Sequence, residues 1–284
     1  MSQLDLKAWM DDRRARADAA LAAALPEGAG QLGRLTEAMR YAVLQGGKRM
    51  RPLVTIAACE ACGGTVEEAL PAACAIELIH AYSLVHDDLP AMDNDVERRG
   101  KPTVHVAFGE DTAILVGDAL LTLAFGVLAQ GASERPRSRI VEAVAKLAQH
   151  SGVDGMVGGQ VMDLEAGQDI RDLELLEAVH ARKTGGLYAA SGAMGALSAG
   201  ADDALVDQLE RWGLWFGIAF QHADDVLDDD QPALRDLALA RVDALVEQCQ
   251  GVAGPLGEGA DPLRAIADWV KERAHAAAAG EQRD

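Results

Sequence analysis

Apolar residues recur at intervals of three and four along most of the chain, which is the spacing of an α-helix with one buried face. Glycine and proline residues punctuate this pattern and mark where the segments end. The pattern predicts helices over residues 4–24, 32–45, 51–61, 66–88, 111–130, 134–150, 154–166, 172–198, 203–228, 233–250 and 262–279. It shows no convincing strand pair, internal repeat or Pro/Ser-rich linker. The sequence therefore predicts an all-α protein in which residues 1–284 form a single large helical bundle.

Composition and charge narrow the choice of partners. Only 4 % of the 284 residues are aromatic, a composition that favours helices over strands. The net charge is −19, so the chain repels nucleic acid and anionic membranes, and we expect neither as a partner. The apolar stretch 113–128 carries Asp118 at its middle, and we interpret it as a buried core helix and not as a membrane span. The charged N-terminal residues lack the apolar segment of a signal peptide, which predicts a cytoplasmic protein.

Two acidic clusters lie at the C-terminal ends of long apolar helices. They are HDDLPAMDND, with Asp87, Asp88, Asp93 and Asp95, and HADDVLDDD, with Asp224, Asp225, Asp228, Asp229 and Asp230. A helix dipole already places negative charge at that end, so both clusters require a compensating cation.

The spacing of these carboxylates suits magnesium. Asp224 and Asp228 are four residues apart and share a helix face. Pro90 disfavours helical geometry at the preceding residue, so the chain can leave the helix there and Asp93 can fold back toward Asp87. Magnesium prefers such hard oxygen ligands together with substrate phosphates and water. The alternative is a solvated acidic helix end, which explains one cluster more readily than two.

Three basic clusters contrast with the overall acidity: GGKRMRP at 46–52, RRGKPT at 98–103 and HARKTGG at 180–186. Gly46 and Gly47 allow backbone N–H groups to approach an anion closely, and Arg51 lies at a predicted helix start, where anions are favoured. Arginine forks suit a diphosphate. One such cluster alone is equally well explained as solubilising surface charge. The combination predicts two anionic substrates, or one substrate with two anionic ends.

These motifs, with ELIHAYSLVHDDLPAMDND, GDALLTLAF, GGQVMDLEA and FQHADDVLD, occur in an order that resembles the trans-isoprenyl diphosphate synthases, most closely the bacterial farnesyl diphosphate synthases. The likeness runs from about residue 32 to 228, and more weakly from 232 toward 275. It implies a bundle of the isoprenoid synthase type, a homodimer and a magnesium-dependent prenyltransferase. The implied reaction condenses isopentenyl diphosphate with dimethylallyl or geranyl diphosphate, and the implied main product is farnesyl diphosphate. Geranyl and geranylgeranyl diphosphate remain alternative products.

The resemblance also implies residue roles. The implied ligands of three magnesium ions are Asp87, Asp88, Asp93, Asp224, Asp225 and Asp228. The implied isopentenyl diphosphate site contains Lys48, Arg51, His80 and Arg99, beside Gly47. The implied allylic and catalytic site contains Arg98, Lys183, Thr184 and Gln221. Gln160 and Asp163 match a further family motif, for which core packing is an equally good explanation.

Product length is expected to depend on Tyr82 and its neighbour Ser83. Tyr82 lies five residues before Asp87 on the same predicted helix, or roughly 7.5 Å along the axis. A bulky ring at that depth could form the floor of a hydrocarbon pocket, and the resemblance implies the same role. The alternative is an ordinary core tyrosine whose hydroxyl is satisfied nearby.

The chain departs from the family pattern after Asp230. Gln231 and Pro232 lead directly into the next predicted helix, whereas family members usually carry a couple of dozen more residues there, including lysines that reach the allylic diphosphate. Two explanations are open: a chain that is truly shortened, or a mobile loop omitted from the sequence. A true deletion predicts incomplete closure of the site and low turnover.

Two other classes of protein share some of these features. Glu77-x-x-His80 and Glu177-x-x-His180 resemble the paired motifs of di-iron carboxylate bundles, but that class leaves the basic clusters unexplained. A non-catalytic prenyltransferase subunit would explain the missing segment, but it does not explain why both aspartate motifs are intact.

Overall fold

The computed structural model describes residues 4–28, 30–130, 137–167, 170, 172–228 and 232–280. The helices are α1 Leu6–Ala24, α2 Gly33–Leu44, α3 Met50–Ala61, α4 Val66–Asp87, α5 Val104–Phe108, α6 Glu110–Gln130, α7 Arg137–Ser151, α8 Met156–Ala166, α9 Leu173–His180, α10 Gly186–Ser198, α11 Asp203–Asp228, α12 Arg235–Ala253 and α13 Asp261–Ala278. Each predicted helix is present, with ends within three residues of the prediction except where one segment is divided. Residues 134–136, the predicted start of the helix at 134–150, lie outside the described residues. The all-α prediction is confirmed.

Helix α10 forms the centre of the bundle, and all of its residues are buried. It packs against α3, α4, α7 and α11. Small residues make this possible, since a Cβ at Gly195 would collide with the backbone of α3 and one at Gly213 would collide with the backbone of α10. Trp212 and Phe216 of α11 stack with ring centroids 5.0 Å apart and fill the space beside α10. The core is therefore a rigid frame for the helices around it.

Helix α4 shows how local sequence sets the first acidic cluster. Thr65 caps its N-terminus in a capping box with Glu68. Beyond the C-terminus the chain turns back, and the backbone N–H of Asp93 donates to the carbonyl of Asp87 at 2.8 Å. The predicted return of Asp93 toward Asp87 is confirmed, and Pro90 supplies the physical reason.

A short hairpin follows this cluster, which corrects the prediction that the chain has no strand pair. β1 (Glu97–Arg98) and β2 (Lys101–Pro102) pair antiparallel through a two-residue turn. Arg99 and Gly100 both have positive φ, as the tight turn requires. Two residues per strand are too few for an alternating pattern, so the periodicity gave no signal.

The predicted helix 172–198 is divided. Residues Ala181–Gly185 form a π-helical turn between α9 and α10. Such turns insert an extra residue and often occur at functional sites. The apolar pattern at helical spacing continues on both sides of the insertion. The pattern therefore predicted one helix.

Helix α6 is less buried than expected for residues 113–128. One face packs against α4, whereas Ile114 and Leu115 on another face are 47 % and 56 % exposed. By length and composition, α4 and α6 could each cross a bilayer, but core helices of soluble proteins meet the same criteria. The sequence shows that α6 is apolar all round, and only packing shows which face has no partner.

Candidate active site

A cavity of about 970 Å³ lies between the start of α3, α4, α8, the π-helical turn and α11. Most of the residues predicted for the site line it: Gly47, Lys48, Arg51, His80, Tyr82, Ser83, Asp87, Arg98, Arg99, Lys183, Thr184, Gln221 and Asp224. The remaining four predicted metal ligands, Asp88, Asp93, Asp225 and Asp228, do not line it. Segments up to 177 residues apart in the chain (47 to 224) thus meet at one place.

One end of the cavity carries basic side chains with few acidic partners. The Nε atom of Arg51 is buried and finds no hydrogen-bond partner among the described residues, and its guanidinium lies 4.8 Å from the centre of the Tyr188 ring. Burial, together with Arg51 and Arg99, lowers the pKa of His80 well below its usual value. Burial, together with Arg273, also lowers the pKa of Lys48. Arg51 and Arg99 thus place positive charge beside His80, and this part of the cavity is suited to an anion.

The loop between α2 and α3, which carries Gly47 and Lys48, is held in place by Arg49. Its guanidinium is buried, pairs with Glu77 and Asp18 at 2.7 Å each, and donates to the carbonyl of Val43 at 2.7 Å. The sequence placed Arg49 in the same basic cluster as Arg51 but gave it no separate role. A run of three basic residues within four positions does not reveal which one points into the protein.

Gly47 makes a second contribution to this loop. Its φ is +131°, and a Cβ there would lie 2.6 Å from the guanidinium of Arg99, which also donates to the carbonyl of Gly46. Glycine therefore permits both the backbone conformation and the close approach of the hairpin arginine.

At the first aspartate cluster, Asp87 and Asp88 have different surroundings. Asp87 faces the cavity, and burial raises its pKa to about 6, opposed by Lys183 and assisted by Asp93. Asp88 is buried and accepts two hydrogen bonds from Arg98, at 2.8 and 2.6 Å. Asp87 is thus the carboxylate with unsatisfied negative charge, whereas Asp88 holds the arginine of the hairpin.

The second cluster shows the same division. Asp224 faces the cavity, and burial raises its pKa although Arg273 pairs with it at 2.5 Å. Asp225 is buried: its Oδ1 accepts from Gln221 at 3.0 Å and its Oδ2 lies 3.2 Å from Nε2 of His180. Asp228 is exposed at the end of α11, and Asp229 and Asp230 lie outside the described residues.

Asp87 and Asp224 are each suited to a hard divalent cation. Both present carboxylate oxygens to one cavity, and because burial raises the pKa of each, a bound cation would stabilise their ionised forms. Whether Asp88, Asp93, Asp225 and Asp228 also bind metal stays a prediction.

The π-helical turn presents Lys183 and Thr184 to the cavity. Lys183 Nζ lies 2.5 Å from Oδ2 of Asp163, and the Thr184 hydroxyl donates to Gln221 at 3.0 Å. Both amide atoms of Gln160 are buried at the cavity wall without a partner among the described residues. Asp163 therefore positions Lys183. This ion pair differs from the core packing that was the alternative explanation for Asp163.

Two histidines extend the contacts of Asp225 into the protein. The rings of His180 and His222 are 4.7 Å apart, and Nε2 of His222 lies 3.3 Å from Glu177, which also pairs with Arg241. Burial and His180 lower the pKa of His222 to about 4. The imidazoles are best explained as donors that fix carboxylates.

The described residues do not bring Glu77, His80, Glu177 and His180 together as the ligands of a di-iron site. In the part of the chain that the structure describes, the one group of convergent metal-ligand side chains is His180, His222 and Asp225, within 4.8 Å of one another. Glu77 is instead paired with Arg49, and His80 lines the cavity among arginines.

The all-α fold, with its aspartate and arginine groups around one cavity, defines a protein of the isoprenoid synthase type. A family model described as polyprenyl synthetase matches residues 33–233, which is more than half of the chain. The chain belongs to the polyprenyl synthetase family.

Individual relatives agree on the family and differ in their named products. A dimethylallyltranstransferase of Fischerella ambigua (strain UTEX 1903) is 39 % identical over an alignment of 295 positions. The alignment covers 95 % of this chain and 84 % of that protein. The chloroplastic heterodimeric geranylgeranyl pyrophosphate synthase large subunit 1 of Arabidopsis thaliana is 50 % identical over 200 residues, or 69 % of this chain. The match spans only about half (54 %) of the length of that relative.

Solved structures show the same fold. The apo crystal structure of an FPP/GFPP synthase from Zymomonas mobilis superposes with a TM-score of 0.88 at 39 % identity, covering 95 % of this chain and all of that one. A geranyltransferase from Legionella pneumophila superposes with a TM-score of 0.86 at 33 % identity, covering 95 % of this chain and 97 % of that one. The isoprenoid synthase fold expected from the resemblance is confirmed.

Proposed function

We propose that this protein is a prenyltransferase that condenses isopentenyl diphosphate with an allylic diphosphate. The observation that carries the proposal is the set of charged side chains that line one cavity. Arg51 and Arg99 act on His80, whereas Asp87 and Asp224 present carboxylates to the same cavity, with Lys48 near Asp224. Two diphosphates, one held by arginines and one through magnesium, match this combination of groups.

The proposed reaction uses the groups that line this cavity. The C–O bond of the allylic diphosphate breaks, and its electron pair leaves with the diphosphate, which Lys183 and Arg98 would hold. The double bond of isopentenyl diphosphate then attacks the allylic carbon, and the resulting cation loses a proton to the released diphosphate. The products are a diphosphate one isoprene unit longer and free diphosphate. No protein nucleophile takes part.

The hydroxyl of Thr184 and the amide of Gln221 line the same cavity and are proposed to lie beside the developing cation, with Asp225 accepting from that amide. Magnesium, for which three ions are expected, would be held by Asp87 and Asp224 with the other aspartates of the two clusters. When bound, it supplies charge neutralisation of the leaving diphosphate. The apolar wall of the cavity, from Val157, Val161 and Leu164 of α8, would protect the allylic cation from water.

Farnesyl diphosphate is the proposed main product. Tyr82 lines the cavity and is 7 % exposed, consistent with a floor one and a half turns below Asp87. Ser83 lines the cavity beside it. The relatives bear names that range from dimethylallyltranstransferase to geranylgeranyl synthase, so product length is the finer part of the proposal.

A homodimer is the proposed assembly in the cytoplasm. The exposed apolar face of α6, with Ile114 and Leu115, supports it, because a second copy would cover a surface that is costly to leave in water. One relative is named as the large subunit of a heterodimer, so a different partner subunit is the competing assembly. Light scattering of the purified chain distinguishes a dimer from a monomer.

The test of function is incubation with isopentenyl and dimethylallyl diphosphates, with and without magnesium, followed by chromatography of the dephosphorylated products. We expect C15 alcohol as the main product and none without divalent metal. Absence of any condensation product from the magnesium-loaded dimer would refute the proposed activity and favour a non-catalytic subunit.

A further inference from the structure

His86 lies between the cavity and helix α6. Its ring lines the cavity beside Tyr82, with the two ring centroids 5.9 Å apart in an edge-to-face arrangement. Its Nε2–H donates to the backbone carbonyl of Ile114 on α6 at 3.1 Å. The imidazole therefore connects the wall of the cavity to the backbone of a neighbouring helix.

The ring can occupy this position because residue 117 is glycine. A Cβ at Gly117 would overlap the imidazole of His86. Gly117 is buried in the contact between α6 and α4, so the helices leave little room for both groups to adjust. Any larger residue at 117 must therefore push the ring away from α6, toward the cavity that the ring already borders.

The position of His86 along α4 connects it to product length. His86 lies one helical turn above Tyr82 on the same face, between Tyr82 and the level of Asp87. A hydrocarbon chain that extends from the diphosphate end toward Tyr82 passes this wall. The edge-to-face contact between the two rings also limits where the Tyr82 ring can move.

We propose that His86, seated on Gly117, is a second specificity-determining residue: it fixes the Tyr82 ring and closes the side of the hydrocarbon pocket. The inference deepens the proposed function and rests on it. Removal of the imidazole joins the cavity to the space beside Gly117 and frees the Tyr82 ring. Displacement of the imidazole by a side chain at 117 narrows the same passage.

The test uses two substitutions with opposite expected outcomes. For His86→Ala we expect the ratio of geranylgeranyl to farnesyl product to rise by about ten-fold, in the range by which pockets discriminate small apolar groups. For Gly117→Ala we expect the ratio of geranyl to farnesyl product to rise. The matched control is Gly126→Ala on the same helix, where a Cβ meets open space, and its product ratios should equal those of the unmodified protein.

A binding measurement keeps the test decisive if His86→Ala turns over slowly. Calorimetry with magnesium and unreactive thio-diphosphate analogues gives the affinities for the geranyl and farnesyl chains separately. We expect His86→Ala to raise the affinity for the farnesyl analogue relative to that for the geranyl analogue. We expect Gly117→Ala to lower the same ratio of affinities.

The outcomes separate this inference from the proposed function. An unmodified protein that makes no product and binds neither analogue overturns both. An active unmodified protein whose two variants keep its product ratio and its affinity ratio overturns the role of His86 alone. The same conclusion follows if Gly126→Ala shifts the ratios as far as Gly117→Ala does.

Discussion

The guanidinium of Arg273, on the last helix, lies 2.5 Å from the carboxylate of Asp224, 49 residues earlier in the chain. The same guanidinium lies over the rings of Phe220 and Trp269, at 5.9 and 5.7 Å from their centroids. Helix α13 thus contributes a cation to the second aspartate cluster.

This contact predicts a role for Arg273 in catalysis. Without its guanidinium, the partly buried Asp224 would lose its compensating charge, and its pKa would rise further. We expect Arg273→Gln to lower kcat/KM for the allylic diphosphate by roughly 10- to 100-fold, which corresponds to about 1.4–2.8 kcal/mol.

The matched control is Lys271→Gln. It removes the same charge from the same helix, but the Lys271–Asp243 pair is exposed and contributes little. Equal losses in the two variants would show that net charge, and not the contact with Asp224, determines the effect.

Asp87 and Asp224 are predicted to be essential for turnover. Each faces the cavity and is placed to hold the cation that neutralises the leaving group. We expect Asp87→Ala and Asp224→Ala each to lower kcat by several orders of magnitude at saturating substrate and magnesium. Asp207→Ala, an exposed position on α11, is the control and should leave kcat unchanged. Near-normal turnover of both site variants would contradict the metal assignment.

Two arginines two residues apart are predicted to fail in different ways. Arg51 faces the cavity with an unpartnered Nε, so Arg51→Ala should raise KM for isopentenyl diphosphate and leave unfolding nearly unchanged. Arg49 is buried against Glu77, so Arg49→Ala should lower the free energy of unfolding by roughly 3–5 kcal/mol. Substrate-resolved kinetics and urea unfolding measure the two effects. A rise in KM confined to the allylic substrate in Arg51→Ala would place that arginine in the other site.

The raised pKa of Asp87 predicts a pH-dependent gain in stability from Asp87→Asn. Ionisation of Asp87 is disfavoured in the folded protein, with a pKa of about 6 against an ordinary value near 4, so the ionised group opposes folding above pH 6. In metal-free protein at pH 8, Asp87→Asn should therefore unfold with a free energy roughly 1–3 kcal/mol higher.

The gain should shrink as the pH falls below 6 and disappear by about pH 3, where Asp87 is mostly protonated in both the folded and the unfolded state. Thermal unfolding at a series of pH values measures it, with Asp207→Asn as the exposed control. A gain that stays constant between pH 4 and 8 would show that it does not come from the charge of Asp87.

Tyr82→Ala is predicted to lengthen the product. The ring lines the cavity and is buried, and if it forms the proposed floor below Asp87, its removal should shift the main product from the proposed farnesyl diphosphate toward geranylgeranyl diphosphate. Chromatography of the products at equal conversion measures the shift. An active variant with an unchanged distribution would place the floor elsewhere, for instance on a neighbouring helix or a dimer partner.

The sequence by itself determined the helices, the two aspartate clusters and the basic clusters that surround the cavity. Helical periodicity and the punctuation by glycine and proline are local properties, so α4 and the return of Asp93 after Pro90 could be predicted. Order and spacing of the motifs also identified which segments meet, because Lys183, Thr184 and Gln221 belong to motifs that recur together.

Only the tertiary structure decided which member of each cluster faces the cavity. Asp87 and Asp88 are adjacent and chemically identical, yet Asp87 faces the cavity and Asp88 pairs with Arg98. The reason is that the hairpin that carries Arg98 lies on the side of Asp88. The same holds for Asp224 and Asp225. Arg273 showed only a weak signal, a charged residue in register with the apolar face of the last helix. Its partner 49 residues away is set by how α13 packs on α11, a long-range contact that no local pattern encodes.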